Sequence, residues 1–140
     1  MISTATRPQY ADQTSALNAV AERLLAERVA KYPAMVAAGR MSQANADTGI
    51  RTMRGVADHW RAMVDGTPAP ERCACCGGAS YREQRDTLIA ASARTAQIAA
   101  NAPDDARKAD RAAAVAALLW HAEIALAAER ACWNTNAQAA

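Results

Sequence analysis

Apolar residues return at three- and four-residue steps along most of this chain, and no alternating run extends beyond a few residues. The pattern predicts helices and no strands. From about Asp12, the residues Leu17, Val20, Ala21, Leu24, Leu25 and Tyr32 line one face of a first helix. Pro33 is expected to end or kink it, leaving a further turn or two that stops at Gly39 in the left-handed conformation. Ser42 is a good N-cap for a second helix, with Met41 before it as a hydrophobic staple. Its inner face reads Ile50, Met53, Val56, Ala57, Trp60, Met63 and Val64. Gly49 and Gly55 cost that helix about 1 kcal/mol each against alanine, so another chain segment is expected to pack closely there. Asp65-Gly66 ends it.

Thr67-Pro68-Ala69-Pro70 cannot continue a helix, and residues 66–79 form a Pro, Cys and Gly loop joining two helical hairpins. Ser80 and Glu83 then make a capping box for a third helix, with Leu88, Ile89, Ser92, Thr95, Ala96 and Ala99 inward. Asn101 to Asp105 turns the chain, and two acids suit the start of a fourth, longest helix reaching about Trp133. Its main stripe is Val115, Ala116, Leu119, Ala122, Leu126 and Trp133, with Leu118, Trp120 and Ile124 off it, which implies burial on more than one side. The expected architecture is a single all-α domain, a four-helix bundle over residues 1–140. It has a flexible arm at 1–10, hairpins at 12–65 and 80–133, and a frayed tail at 134–140.

Composition changes this picture in one respect. Alanine supplies much of the apolar content, while Leu, Ile, Val and Phe together are scarce, so the helices pack closely around a thin core. A homodimer is the expected remedy. The net charge of +2 with interleaved acids argues against a dedicated nucleic-acid face. No run approaches the roughly 20 apolar residues that span a bilayer, and the first residues lack an apolar leader segment. Cytoplasmic residence with reduced thiols is the expectation.

Candidate chemistry centres on Cys73-Ala74-Cys75-Cys76-Gly77. Cys73 and Cys76 have the spacing that offers two thiolates to one zinc ion, and a structural site needs two further ligands. Cys75, His59, His121 and Cys132 are the candidates, with Cys73, Cys76, His59 and Cys132 the chosen set. His121 and Cys132 lie about 16 Å apart along one helix at 1.5 Å per residue, so they cannot share an ion. Against the metal stands the plainer reading of small loop cysteines.

A thiol redox role is also open, because a helix N-terminus lowers thiol pKa. In the alkylhydroperoxidase type a histidine follows the C-x-x-C by four residues; here that position is Ser80. Neither histidine has a glutamate three residues before it, so a di-iron bundle is excluded. Gly77-Gly78 lacks the Lys-Ser/Thr of a phosphate loop. Arg51, Arg54, Arg61, Arg82 and Arg85 form a candidate strip for an acidic protein surface or a phosphate backbone. Asp58, Asp65, Glu83 and Asp86 stand close enough in sequence to neutralise it.

The run Tyr32-Pro33, Val36, Gly39-Arg40-Met41, Gln43, Ala46-Asp47, Ile50 and Met53 resembles a helical hairpin of small phage and prophage proteins. The resemblance covers about a fifth of the chain and carries no catalytic residue with it. It implies a non-enzymatic accessory protein in the host cytoplasm that binds a host protein or protein–nucleic-acid complex, as inhibitors of host defence and modulators of host enzymes do.

Overall fold

The computed structural model describes the backbone of residues 7–139 and the side chains of residues 7–136. These residues form α1 (Thr14–Ala37), α2 (Gln43–Asp65), α3 (Tyr81–Ala100) and α4 (Ala106–Ala139), with a 3-10 turn at Ala74–Cys76 between α2 and α3 and no strand among them. Contacts run from α1 to α2, α2 to α3, α3 to α4 and α4 back to α1, so the helices form an up-and-down four-helix bundle. The two hairpin pairs, α1 with α2 and α3 with α4, pack over the longest stretches.

The caps follow from local chemistry. Ser42 Oγ accepts the Asn45 N–H at 3.1 Å and opens α2, while Gly66 ends it at φ +68°. Ser80 Oγ accepts the Glu83 N–H as Glu83 Oε1 accepts the Ser80 N–H, both at 3.1 Å. Asp105 Oδ1 accepts from Arg107 N–H at 3.1 Å and starts α4. Each cap satisfies helical donors that would otherwise lack a partner.

The core is Leu17, Ala21 and Leu24 from α1, Met53, Val56, Ala57 and Trp60 from α2, Leu88 and Ala91 from α3, and a stripe of α4 from Ala114 to Ala122. Several expectations need correction. The helix does not stop at Pro33: α1 runs through it to Ala37, because its missing N–H and the Val29 carbonyl lie on an exposed face where water can replace the lost bond. Met63 and Val64 face solvent rather than the core, as does Ile89, since each stands at the outer edge of its helix's stripe. Trp133, read as on the α4 stripe, is 75% exposed, whereas Leu118, off that stripe, is fully buried, as expected for a helix covered on more than one side.

The tail read as frayed stays helical to Ala139, and residue 140 lies outside the described residues. Of the arm read as flexible, residues 1–6 lie outside them too. Residues 7–13 fold back, Tyr10 packing against the core and Ala11 being buried. The membrane expectation is also altered. Ala106–Asn136 is long and apolar enough, by length and composition alone, to cross a bilayer, with 33% of its most apolar window buried in the bundle. Alanine weighs as apolar in such a sum while covering little area.

Candidate functional site

The loop between α2 and α3 is clamped at its base and open at its tip. Gly55 of α2 meets Ala79 so closely that a Cβ there would stand 2.5 Å from the Ala79 Cβ, and a Cβ on Gly78 would overlap the Glu71 carbonyl. Both glycines are therefore required by close approach rather than by a turn. Arg51 donates to the Gly78 carbonyl at 2.6 Å and pairs through both terminal nitrogens with Glu83. Arg72 spans the loop's other flank, its guanidinium 4.1 Å from the Tyr81 ring centroid and 3.6 Å from Glu129 of α4.

Held this way, the tip presents its sulfurs to solvent. The Cys73 carbonyl accepts N–H bonds from Cys76 at 3.0 Å and Gly78 at 2.9 Å, which curls the backbone so that Cys73, Cys75 and Cys76 place their Sγ atoms within 4.8 Å of one another. Cys73 and Cys75 lie at disulfide distance, with Cα atoms 5.4 Å apart, and Cys76 Sγ is 3.8 Å from Cys75 Sγ. The sequence pointed to the Cys73–Cys76 pair and to reduced thiols. The pair in contact is Cys73–Cys75, since the tight 3-10 turn carries Cys75 back over the extended Cys73. Cys76 and Cys132 are free and exposed.

Cys75 thus joins the sulfur cluster, and His59 and Cys132 are not part of it. His59 is half-buried on α2, edge-on to Trp60 and Tyr81 at 5.6 and 6.1 Å between centroids. Burial pushes its pKa below the ordinary histidine value, and the neighbouring His121 and Arg72 push the same way. His121 Nε2 sits 2.7 Å from the Ala11 carbonyl, which makes that nitrogen the protonated donor and the ring an anchor for residues 7–13. Ser80, standing where a redox relay would need histidine, is the N-cap of α3.

The arginine strip separates into two kinds. Arg51 is tied to Glu83, Arg61 to Glu22, and Arg85 to Asp86 at 2.9 Å. Among the described residues Arg54 and Arg82 have no carboxylate in ion-pair range. Arg82 opens onto a groove that sequence reasoning missed, of about 920 Å³, between the start of α3 and the far end of α4. Arg72, Tyr81, Arg82, Arg130, Cys132 and Trp133 line it. From Ala128 to Asn136 every residue of α4 is exposed, so this part of the helix overhangs the bundle.

No protein-family model, curated protein or solved structure matches this chain.

Proposed function

We propose that the chain is a non-enzymatic accessory protein of the phage type, which acts in the host cytoplasm by docking a host protein. The docking end is the groove between the cysteine loop and the α4 overhang. The observation that carries this reading is Trp133. A tryptophan 75% exposed on an ordered helix, beside a groove, is an anchor without a pocket of its own. Arg72, Arg82 and Arg130 outnumber Glu129 around it, so an acidic partner surface fits best. Antagonism of a host defence system is the role that the phage resemblance favours.

Affinity capture from bacterial lysate tests the reading. A partner retained by the native chain should be lost with Trp133→Ala and weakened by added salt and by Arg82→Ala. An identical set of captured proteins with Trp133→Ala would refute it.

The sulfur cluster favours a second reading, a small zinc-binding regulator. Three soft donors within 4.8 Å suit a borderline-soft ion once Cys73 and Cys75 are reduced. Cys73, Cys75 and Cys76 would hold it, with a fourth ligand such as His59 or Cys132 reached by movement of the loop. Native mass spectrometry with and without reductant and chelator tests this. One zinc per chain in reductant, lost in Cys76→Ala, supports it; no bound zinc in reductant removes it.

A further inference from the structure

At the end of the bundle away from the cysteine loop the apolar core stops and the interior opens. Leu24 of α1, Ala91 of α3 and Ala114 of α4 are core residues there. One to two turns further on, Arg28, Lys31, Arg94 and Arg111 line the opening. They bound a cavity of about 350 Å³, within the roughly 300–1,000 Å³ of small-ligand sites. Its apolar wall includes Leu24, Tyr32, Met35, Ala91 and Ile98.

The charges around it do not balance. Arg28, Lys31, Arg94, Lys108 and Arg111 line the cavity against the carboxylate of Glu27. Glu27 is held by Arg111 at 2.8 Å, and Lys108 lies 3.7 Å from Asp105. Among the described residues Arg28, Lys31 and Arg94 have no carboxylate in ion-pair range. Arg28 is part-buried, yet its hydrogen-bond acceptors are neutral: the Gly49 carbonyl and Thr87 Oγ1, each at 2.7 Å. Burial, and then nearby Arg94, lower its pKa against the opposing effect of Tyr32. Arg111 keeps a buried Nε–H with no partner. A desolvated cation without a counterion is costly, and an anion admitted to the cavity would offset that cost at Arg28.

We propose that this cavity binds a small amphipathic anion, with a carboxylate or phosphate head on an apolar tail. The head meets Arg28, Lys31 and Arg94, and the tail lies on Tyr32, Met35 and Ile98. The site stands apart from the cysteine loop and does not depend on the docking reading.

The test titrates the full chain with octanoate and with octyl phosphate, read by calorimetry and by backbone amide NMR. Octanol and inorganic phosphate serve as half-ligands. One site per chain is expected, with shifts centred on residues 24–35 and 90–98. At least one of the two amphiphiles should bind about 10-fold or more tighter than either half-ligand, and more weakly in high salt. Which of the two binds better identifies the head. The double variant Lys31→Ala/Arg94→Ala sits on exposed positions and should keep its melting temperature while losing about 10-fold or more in affinity. Arg82→Ala at the other end should bind normally. Arg28 is left intact, because it braces α2 and α3. Octanol or phosphate binding as well as the amphiphiles, unchanged affinity in the double variant, or no binding at all would each overturn the proposal.

Discussion

Glu83 holds several donors at once: the Ser80 N–H that completes the capping box and both terminal nitrogens of Arg51. The guanidinium hydrogen bond, more than any other effect, holds its carboxyl below the ordinary value of 4.5, and Glu27 is lowered in the same way by Arg111. Because the folded pKa is the lower one, the unfolded chain takes up the proton first. The stabilisation is complete above about pH 4.5 and is lost as pH falls through the folded values. Glu83→Gln should cost about 1–3 kcal/mol at pH 7 and flatten the acid side of a stability–pH curve measured by urea unfolding. An unchanged acid limb would mean that the pair contributes nothing. Gly55 makes the opposite test of fit. Alanine there should gain about 1 kcal/mol of helix propensity but lose about 1–3 to the clash with Ala79, for a lower melting temperature. Gly49→Ala meets only the ring edge of Tyr32 at 2.9 Å, a side chain able to swing away, and should lie within about 1 kcal/mol of the native chain.

At the scale of elements, α1 and α4 depart most from what propensity alone suggests. Pro33 sits inside α1, four residues before its end, and forfeits one hydrogen bond there. Pro33→Ala should restore it and raise stability by about 1 kcal/mol or more, less what the freer unfolded chain takes back. A lower melting temperature would show instead that the proline directs the turn towards Gly39. The 34 residues of α4 extend about 51 Å at 1.5 Å per residue, against about 30 Å for the 20 of α3. That mismatch creates the overhang, the groove beside it and the exposure of Trp133.

The whole molecule has a narrow core. Its largest fully buried side chains are Leu17, Met53, Leu88, Leu118, Val56 and Val115, and many of the other buried positions are alanine, each removing little area from water. A bundle built this way gains from association, so the melting temperature is expected to rise over a 100-fold increase in protein concentration, with a dimer in native mass spectra. A concentration-independent transition and a monomer mass would rule that out.

By itself the sequence determined what depends on neighbours along the chain. Three- and four-residue periodicity, the capping residues Ser42 and Ser80, the acids at Asp104 and Asp105, and the stops at Gly39 and Gly66 placed four helices and the loop between the hairpins. Gly49 and Gly55 announced close packing, though not against what. Only the tertiary structure decided the partners. It set Arg51 on Glu83, His121 on the Ala11 carbonyl, and Cys75 rather than Cys76 against Cys73. It also gathered Arg28, Arg94 and Arg111, from different helices, around one cavity. Such pairings depend on the rotation and axial offset of whole helices, and the packing of the entire core fixes those, so no local pattern of residues records them.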